Sequence, residues 1–296
     1  VSAGADTPRC GQDETVTVTV VQLSDTHLRA EPGPGRHGRD PDLRVAAVLS
    51  GIRRTLGGGS PQLVLLTGDL TDDGSEEACR RLAGLLAGLG APVVAVPGNH
   101  DAGEEVEAVF GRPAPVEIGG WRVVSVSSRL PGRVEGAVDP DALLDALDAL
   151  DAGETPPTSA FTPGRSAPAV GMPTVLALHH PPEGPSAHPW FQLGGASRLL
   201  DGLETRPQVR LVLSGHLHQP FERRRGPLCL LGAPSSLYAI RHEARSWVPD
   251  DTVGCGARLL HLDPGGGWWT ELVTIGPEVG AGSPEPSGPA GHPPGR

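Results

Sequence analysis

Apolar and polar positions alternate along the chain in blocks whose period keeps changing. Thr15 to Leu23 reads TVTVTVVQL, a β-branched run that predicts a strand ending at Ser24-Asp25. Asp40-Pro41 then supplies a helix cap followed by proline at the first helical position. Behind it Val45, Val48, Leu49, Ile52 and Leu56 fall on one helical face. Gln62 to Thr67, QLVLLT, is a continuous apolar run, as expected of a strand covered on both faces. A second helix is predicted from about Ser75, with Glu76 and Glu77 in the first turn, Leu82, Leu85, Leu86 and Leu89 as its stripe, and Gly90 as its stop.

The next strand is PVVAV, and Val116 to Ser127 reads as a hairpin turning at Gly119-Gly120. Asp139-Pro140 caps a third helix carrying Leu143, Leu144, Leu147 and Leu150. Thr174 to Leu178, a helix near Ala196 to Leu203, and Val209 to Leu213 follow, and the end of the chain, PLCLLG, ARLLHLD and WWTELVTI, reads as strands. Arg223-Arg224-Arg225 reads as a solvated turn. This order predicts an α/β protein, either two sheets with helices outside or one doubly wound sheet with an antiparallel extension.

Composition sets the limits of that unit. Gly (42) and Pro (32) are numerous among the 296 residues, but much of the excess is local. Residues 276–296 are almost all Gly, Pro, Ala, Ser and charge, and are expected to form a disordered tail; residues 1–15 are expected to be a flexible N-terminal segment. A Pro/Gly-rich loop is expected at 152–173, inside a domain spanning 16–275. The net charge of −11 argues against a nucleic-acid polymer or an anionic membrane as partner, but leaves room for a small anion beside bound metal ions. No apolar run approaches the ~18 residues that span a bilayer. The four dispersed cysteines (Cys10, Cys79, Cys229, Cys255) and the lack of an evident signal peptide lead to the expectation of a cytoplasmic protein with unpaired thiols.

The candidate chemistry lies where the apolar runs stop. Leu23 is followed by Asp25-Thr26-His27, Leu66 by Gly68-Asp69, and Val96 by Gly98-Asn99-His100-Asp101. Leu178 leads into His179-His180, and Leu213 into Gly215-His216-Leu217-His218. In α/β sheets ligands bind outside the carboxyl ends of the strands, so the topology gathers these residues at one edge. Any one cluster is an ordinary loop; five of them, each closing a strand, are a site. Carboxylate, imidazole and amide without thiolate suit Fe, Mn, Zn or Co. The number of ligands exceeds what one four-coordinate ion needs, and two ions sharing a carboxylate is the natural count.

The same five segments, QLSDTHL, LLTGDLTDDG, VPGNHD, LALHHPP and LSGHLHQP, resemble the calcineurin-like metallophosphoesterases, and among them the bacterial class III cyclic-nucleotide phosphodiesterases. The resemblance covers Val16 to Ile275. It implies a four-layer αββα sandwich of two mixed sheets. It also implies a dimetal site in which Asp25, His27 and His218 hold one ion, Asn99, His179 and His216 hold the other, and Asp69 bridges them. The ions it implies are Fe with Mn or Zn. Catalytic roles fall to His100, facing the phosphate, and to Asp101, orienting its imidazole; Asn99, His100 and His180 are the expected substrate contacts. The implied reaction is hydrolysis of a small anionic phosphoester by a metal-bound hydroxide, with 3′,5′-cyclic AMP going to 5′-AMP as the first expectation. Rival readings are another phosphodiesterase or phosphatase, acting on a glycerophosphodiester or a 2′,3′-cyclic nucleotide, and a non-catalytic binding scaffold. A homodimer stays an open expectation. Two departures, the long 152–173 insertion and serine in VVSVSSRL where relatives often carry an acid, touch no expected ligand.

Overall fold

The computed structural model describes residues 16–154, 171–243, 246–250 and 252–276. The expected flexible segment at 1–15, all but the ends of the 152–173 loop, and the tail beyond residue 276 lie outside these residues.

Two large sheets form, beside two small two-stranded ones, and the doubly wound alternative is set aside. The first runs Trp268–Ile275, Cys255–Leu262, Val18–Leu23, Leu63–Thr67, Val93–Val96 in spatial order. Its last three strands are parallel, and the strands from the end of the domain add on antiparallel. The second sheet runs Phe221–Arg225, Leu228–Gly232, Val209–Ser214, Thr174–Ala177, Trp121–Ser125, Val116–Ile118. It is parallel through its middle, with an antiparallel strand at each edge.

Strand alternation explains the layering. Val20, Leu63 and Leu65 point between the sheets, where they meet Val123, Val175, Leu211 and Leu213. Their neighbours Val21, Leu23, Val64 and Leu66 point the other way, onto the helices Pro41–Thr55, Glu76–Leu86 and Gly103–Phe110. The helices Pro140–Asp151 and Ala196–Glu204 cover the far face of the second sheet through Leu143, Leu147, Leu199 and Leu203. The order is therefore helix, sheet, sheet, helix. Each fully buried aliphatic side chain contributes about 1.5–3 kcal/mol, which is how a core poor in aromatics is held.

The local signals act as expected. The Asp40 carboxylate accepts from Leu43 N, and that of Asp139 from Asp141 N and Ala142 N. Gly119 and Gly120 both take positive φ (54° and 79°), as the two-residue hairpin turn requires. Phe221–Arg225 is an edge strand rather than a turn. Pairing with Leu228–Gly232 defines it, and the charges that suggested a turn are the usual cover of a sheet edge. The short helix Gly103–Phe110 buries only Val106 fully, too little periodicity to be read in advance.

The carboxyl ends of both sheets meet, and buried polar contacts tie them together. Gln22 Nε2 donates to Thr67 Oγ1 in its own sheet and to Ser214 O in the other.

Candidate metal centre

Backbone conformation marks the centre before any side chain is considered. Among the described residues, six that are not glycine take positive φ: Asp25 (54°), His27 (48°), His37 (54°), Asp69 (49°), His216 (68°) and His218 (51°). Five of these are expected metal ligands. A left-handed conformation costs a side-chain-bearing residue about 1–3 kcal/mol, and such residues cluster where function over-determines them. Glycines at the site permit close approach. A Cβ on Gly98 would lie 2.2 Å from Asp69 Oδ1, and one on Gly215 would lie 2.0 Å from Ser24 Oγ.

Buried donor atoms from Asp25, His27, Asp69 and His218 lie within 4.8 Å of one another. His27 Nε2 is 3.1 Å from His218 Nε2, with Asp25 Oδ1 3.4 Å from the latter. On the other side His179 Nε2 is 3.2 Å from Asn99 Oδ1 and 3.4 Å from Asp69 Oδ2. Asp69 Oδ2 is also 3.9 Å from His27 Nε2, so one carboxylate oxygen lies between the two groups. Its other oxygen accepts from His100 N at 2.9 Å.

Carbonyl oxygens fix which imidazole nitrogens are free for a cation. His179 Nδ1 donates to Thr67 O at 2.7 Å, His216 Nε2 to Trp190 O at 2.9 Å, and His218 Nδ1 to Tyr238 O at 3.0 Å. A carbonyl only accepts, so His179 Nε2, His216 Nδ1 and His218 Nε2 are the nitrogens left free for a cation, as in the usual outer-sphere arrangement of metal-bound histidine. The donor set of carboxylate, imidazole and amide therefore fits a pair of hard-to-borderline ions.

Electrostatics complete the picture. Burial lowers the His27 imidazole to about 4 and that of His216 well below the ordinary value, so both are neutral and ready to ligate. Burial opposes ionisation of Asp25 and Asp69, yet the neighbouring imidazoles prevail, chiefly His218 and His179 respectively, and keep both carboxyls low. Burial also disfavours charge on His179, but Asp69 outweighs it and raises the imidazole to about 9. In the metal-free protein at neutral pH a proton thus sits on His179 where a cation is expected. Loading the site at pH 7 should release that proton, and affinity should fall about tenfold per pH unit as pH drops below about 9. Calorimetry in buffers of different ionisation enthalpy measures the release. In the metal-free chain the same shift stabilises the fold fully below the ordinary value of 6.5 and is lost as pH rises through about 9.

Two expected roles are corrected. Asp101 does not hold the His100 imidazole. Its carboxylate accepts from Leu70 N, Thr71 N, Thr71 Oγ1 and Gly98 N at 2.8–3.1 Å, lashing two of the strand-end loops together. The carboxylate near the His100 ring is Asp72, with Oδ1 3.6 Å from Nδ1 of both His100 and His27. His180 is not a substrate contact. Although it lies close to His179 and His216, it is fully buried, and both ring nitrogens are used: Nε2 donates to Val134 O, and Nδ1 accepts from Ser128 Oγ.

Asp101→Ala should therefore act on stability. It strands three buried backbone N–H groups, at about 1–3 kcal/mol for each left unsatisfied, and thermal unfolding should show the loss. Burial and the charge of Asp69 raise the Asp101 carboxyl to about 6, so this support begins to protonate just below neutrality.

Known proteins agree with the geometry. The profile of the calcineurin-like phosphoesterases matches residues 18–220. A 3′,5′-cyclic adenosine monophosphate phosphodiesterase of Pseudomonas aeruginosa is 36% identical over 260 residues, covering 84% of this chain and 87% of that protein. A 3′,5′-cyclic-nucleotide phosphodiesterase of Nostoc sp. is 29% identical over 274 residues, covering 89% and 94%. Among solved structures, a purple acid phosphatase from yellow lupin shares the fold at a TM-score of 0.55 and 13% identity, over 84% of this chain and 50% of that one. Two sheets between helices, a two-part donor site at their carboxyl edge and the matching profile lead to one conclusion: the chain belongs to the calcineurin-like phosphoesterase family.

Proposed function

We propose that the protein is a dimetal phosphodiesterase that hydrolyses a 3′,5′-cyclic nucleotide, cyclic AMP to 5′-AMP first among them. The observation that carries this reading is the Asp69 carboxylate, with Oδ2 3.4 Å from the His179 nitrogen of one donor group and 3.9 Å from the His27 nitrogen of the other. Asp25, His27 and His218 would hold one ion, Asn99, His179 and His216 the other, and Asp69 both. Iron with manganese or zinc suits these donors. Two ions so held would supply Lewis acidity to the phosphoryl oxygens and lower the pKa of a water toward neutrality.

The chain's own residues do the rest. Asn99 brings an uncharged oxygen beside the already anionic Asp69. His100 is partly exposed beside the buried Asp25, His27, Asp69 and His179, which leaves its ring free to meet the phosphate. Its backbone N–H on Asp69 ties that position to the bridging carboxylate. Asp101 holds the loops that bear Asp69 and Asn99 at a fixed separation. Residues 16–275 act as one domain in this reading. The names borne by the relatives support the substrate class, and cytoplasmic action goes with it. Among the described residues no helix is long and apolar enough to cross a membrane.

The test is a rate comparison for cyclic AMP, cyclic GMP, a 2′,3′-cyclic nucleotide and a glycerophosphodiester, each with manganese, iron or zinc added. Fastest turnover of a 3′,5′-cyclic nucleotide is expected. Preference for the glycerophosphodiester would replace the substrate, and inactivity of the metal-loaded protein on all four would sink the reading.

A further inference from the structure

Two exposed apolar side chains stand together beside the second donor group. Val134 and Trp190 are each 38% exposed, and their main chains end on neighbouring imidazoles. Val134 O accepts from His180 Nε2 at 2.9 Å, and Trp190 O from His216 Nε2 at 2.9 Å. The two rings lie 4.5 Å apart. A few residues on, the segments are joined again, where Gly136–Ala137 pairs in parallel with Leu193–Gly194. Paired strands run about 4.8 Å apart, so Val134 and Trp190, just upstream, emerge side by side. Single exposed apolar residues are ordinary; adjacent ones at the edge of a site call for an occupant.

Trp190 is held in place before any ligand arrives. It is the middle residue of the single turn Pro189–Phe191, and its N–H is capped by His188 Nδ1 at 3.2 Å. Phe191 turns inward, with its ring 5.1 Å from that of His216. The indole is braced by His188 at 5.2 Å and Trp247 at 6.4 Å, and the rest of it meets water. Such a surface is large, rigid and flat, and stacking on it orders little.

An anion alone has no use for this lip. A phosphoester of a small polyol such as glycerol would leave it wet. A nucleotide carries its phosphate and a flat, largely apolar ring on one small molecule, and stacking of a base on an aromatic side chain contributes about 1–3 kcal/mol. His216 joins the two places: its Nδ1 is free for a cation, and its Nε2 holds the Trp190 carbonyl.

We propose that Trp190, with Val134 beside it, forms a nucleobase subsite, a specificity-determining surface on which the base stacks while the phosphate lies at the donor groups. The inference deepens the phosphodiesterase reading and rests on it for the position of the phosphate.

The test is calorimetric binding of 5′-AMP and of ribose 5-phosphate, which lacks the base, to the zinc-loaded full chain. The wild-type protein is expected to bind 5′-AMP about tenfold tighter or more. Trp190→Ala should keep its zinc, remove that preference and move ribose 5-phosphate far less. Trp190→Phe, which keeps a flat ring, should retain most of the preference. If cyclic AMP is hydrolysed, Trp190→Ala should raise KM about tenfold, with kcat moving less. Equal binding of the two ligands by the wild type, or a Trp190→Ala variant that retains the full preference for 5′-AMP, would overturn the proposal. Neither ligand has to be turned over. A chain that hydrolyses no cyclic nucleotide, yet owes a preference for the base to Trp190, would defeat the functional reading and leave the subsite standing.

Discussion

Asp69→Asn removes metal and turnover together. The substitution keeps the shape of the side chain and one acceptor for His100 N, so the effect must come from charge. Burial already works against the Asp69 carboxylate, and it stays ionised because His179, His100 and His27 surround it. Without that charge the two donor groups lose the carboxylate oxygen that lies 3.4 and 3.9 Å from their nitrogens. Metal analysis of the purified variant should find fewer than two ions per chain, and kcat should fall by ~10³-fold or more, equivalent to about 4 kcal/mol. A variant that retains a full complement of both ions would remove Asp69 from its bridging role.

His100→Ala separates binding of metal from use of it. The ring of His100 crosses that of His27 edge-on at 4.9 Å but belongs to neither group of expected ligands. The variant should keep both ions and lose about 10²–10³-fold in kcat, the range seen when one preorganised donor to a developing charge is removed. KM should move less, because the donor acts on charge that grows in the transition state. Loss of an ion in step with turnover would make His100 a ligand and redraw the centre.

The strand-end clusters were readable because parallel strands carry apolar residues on both faces and then stop, which leaves polar residues conspicuous. Asp25, Asp69, Asn99, His179 and His216 stand out in this way. The partners that orient them were not readable, since a backbone carbonyl such as Thr67 O, Trp190 O or Tyr238 O has no sequence signature. Asp72 and Asp73 show the same limit. As neighbours they look like one turn, but Asp73 accepts from Ala30 N, Ser75 N and Ser75 Oγ, whereas Asp72 meets Arg36 and the two imidazoles. The carboxylate of Asp101 follows His100 directly in sequence yet serves the backbone of residues 70, 71 and 98. Adjacency along a chain says little about which side chains meet once the chain turns.

The left-handed expected ligands set a direction for how this protein changes under selection. Glycine would relax the backbone at Asp25, His27, Asp69, His216 and His218, and asparagine would do so in part, by about a kcal/mol at each position. Heat resistance and metal retention therefore compete for the same five codons. A library sorted only for survival at high temperature, in the presence of a chelator, should accumulate glycine and asparagine at these positions first. The same library sorted with metal present should leave them untouched, because bound ions return more than the backbone would gain. The expected ligands are thus under opposite pressures with and without metal.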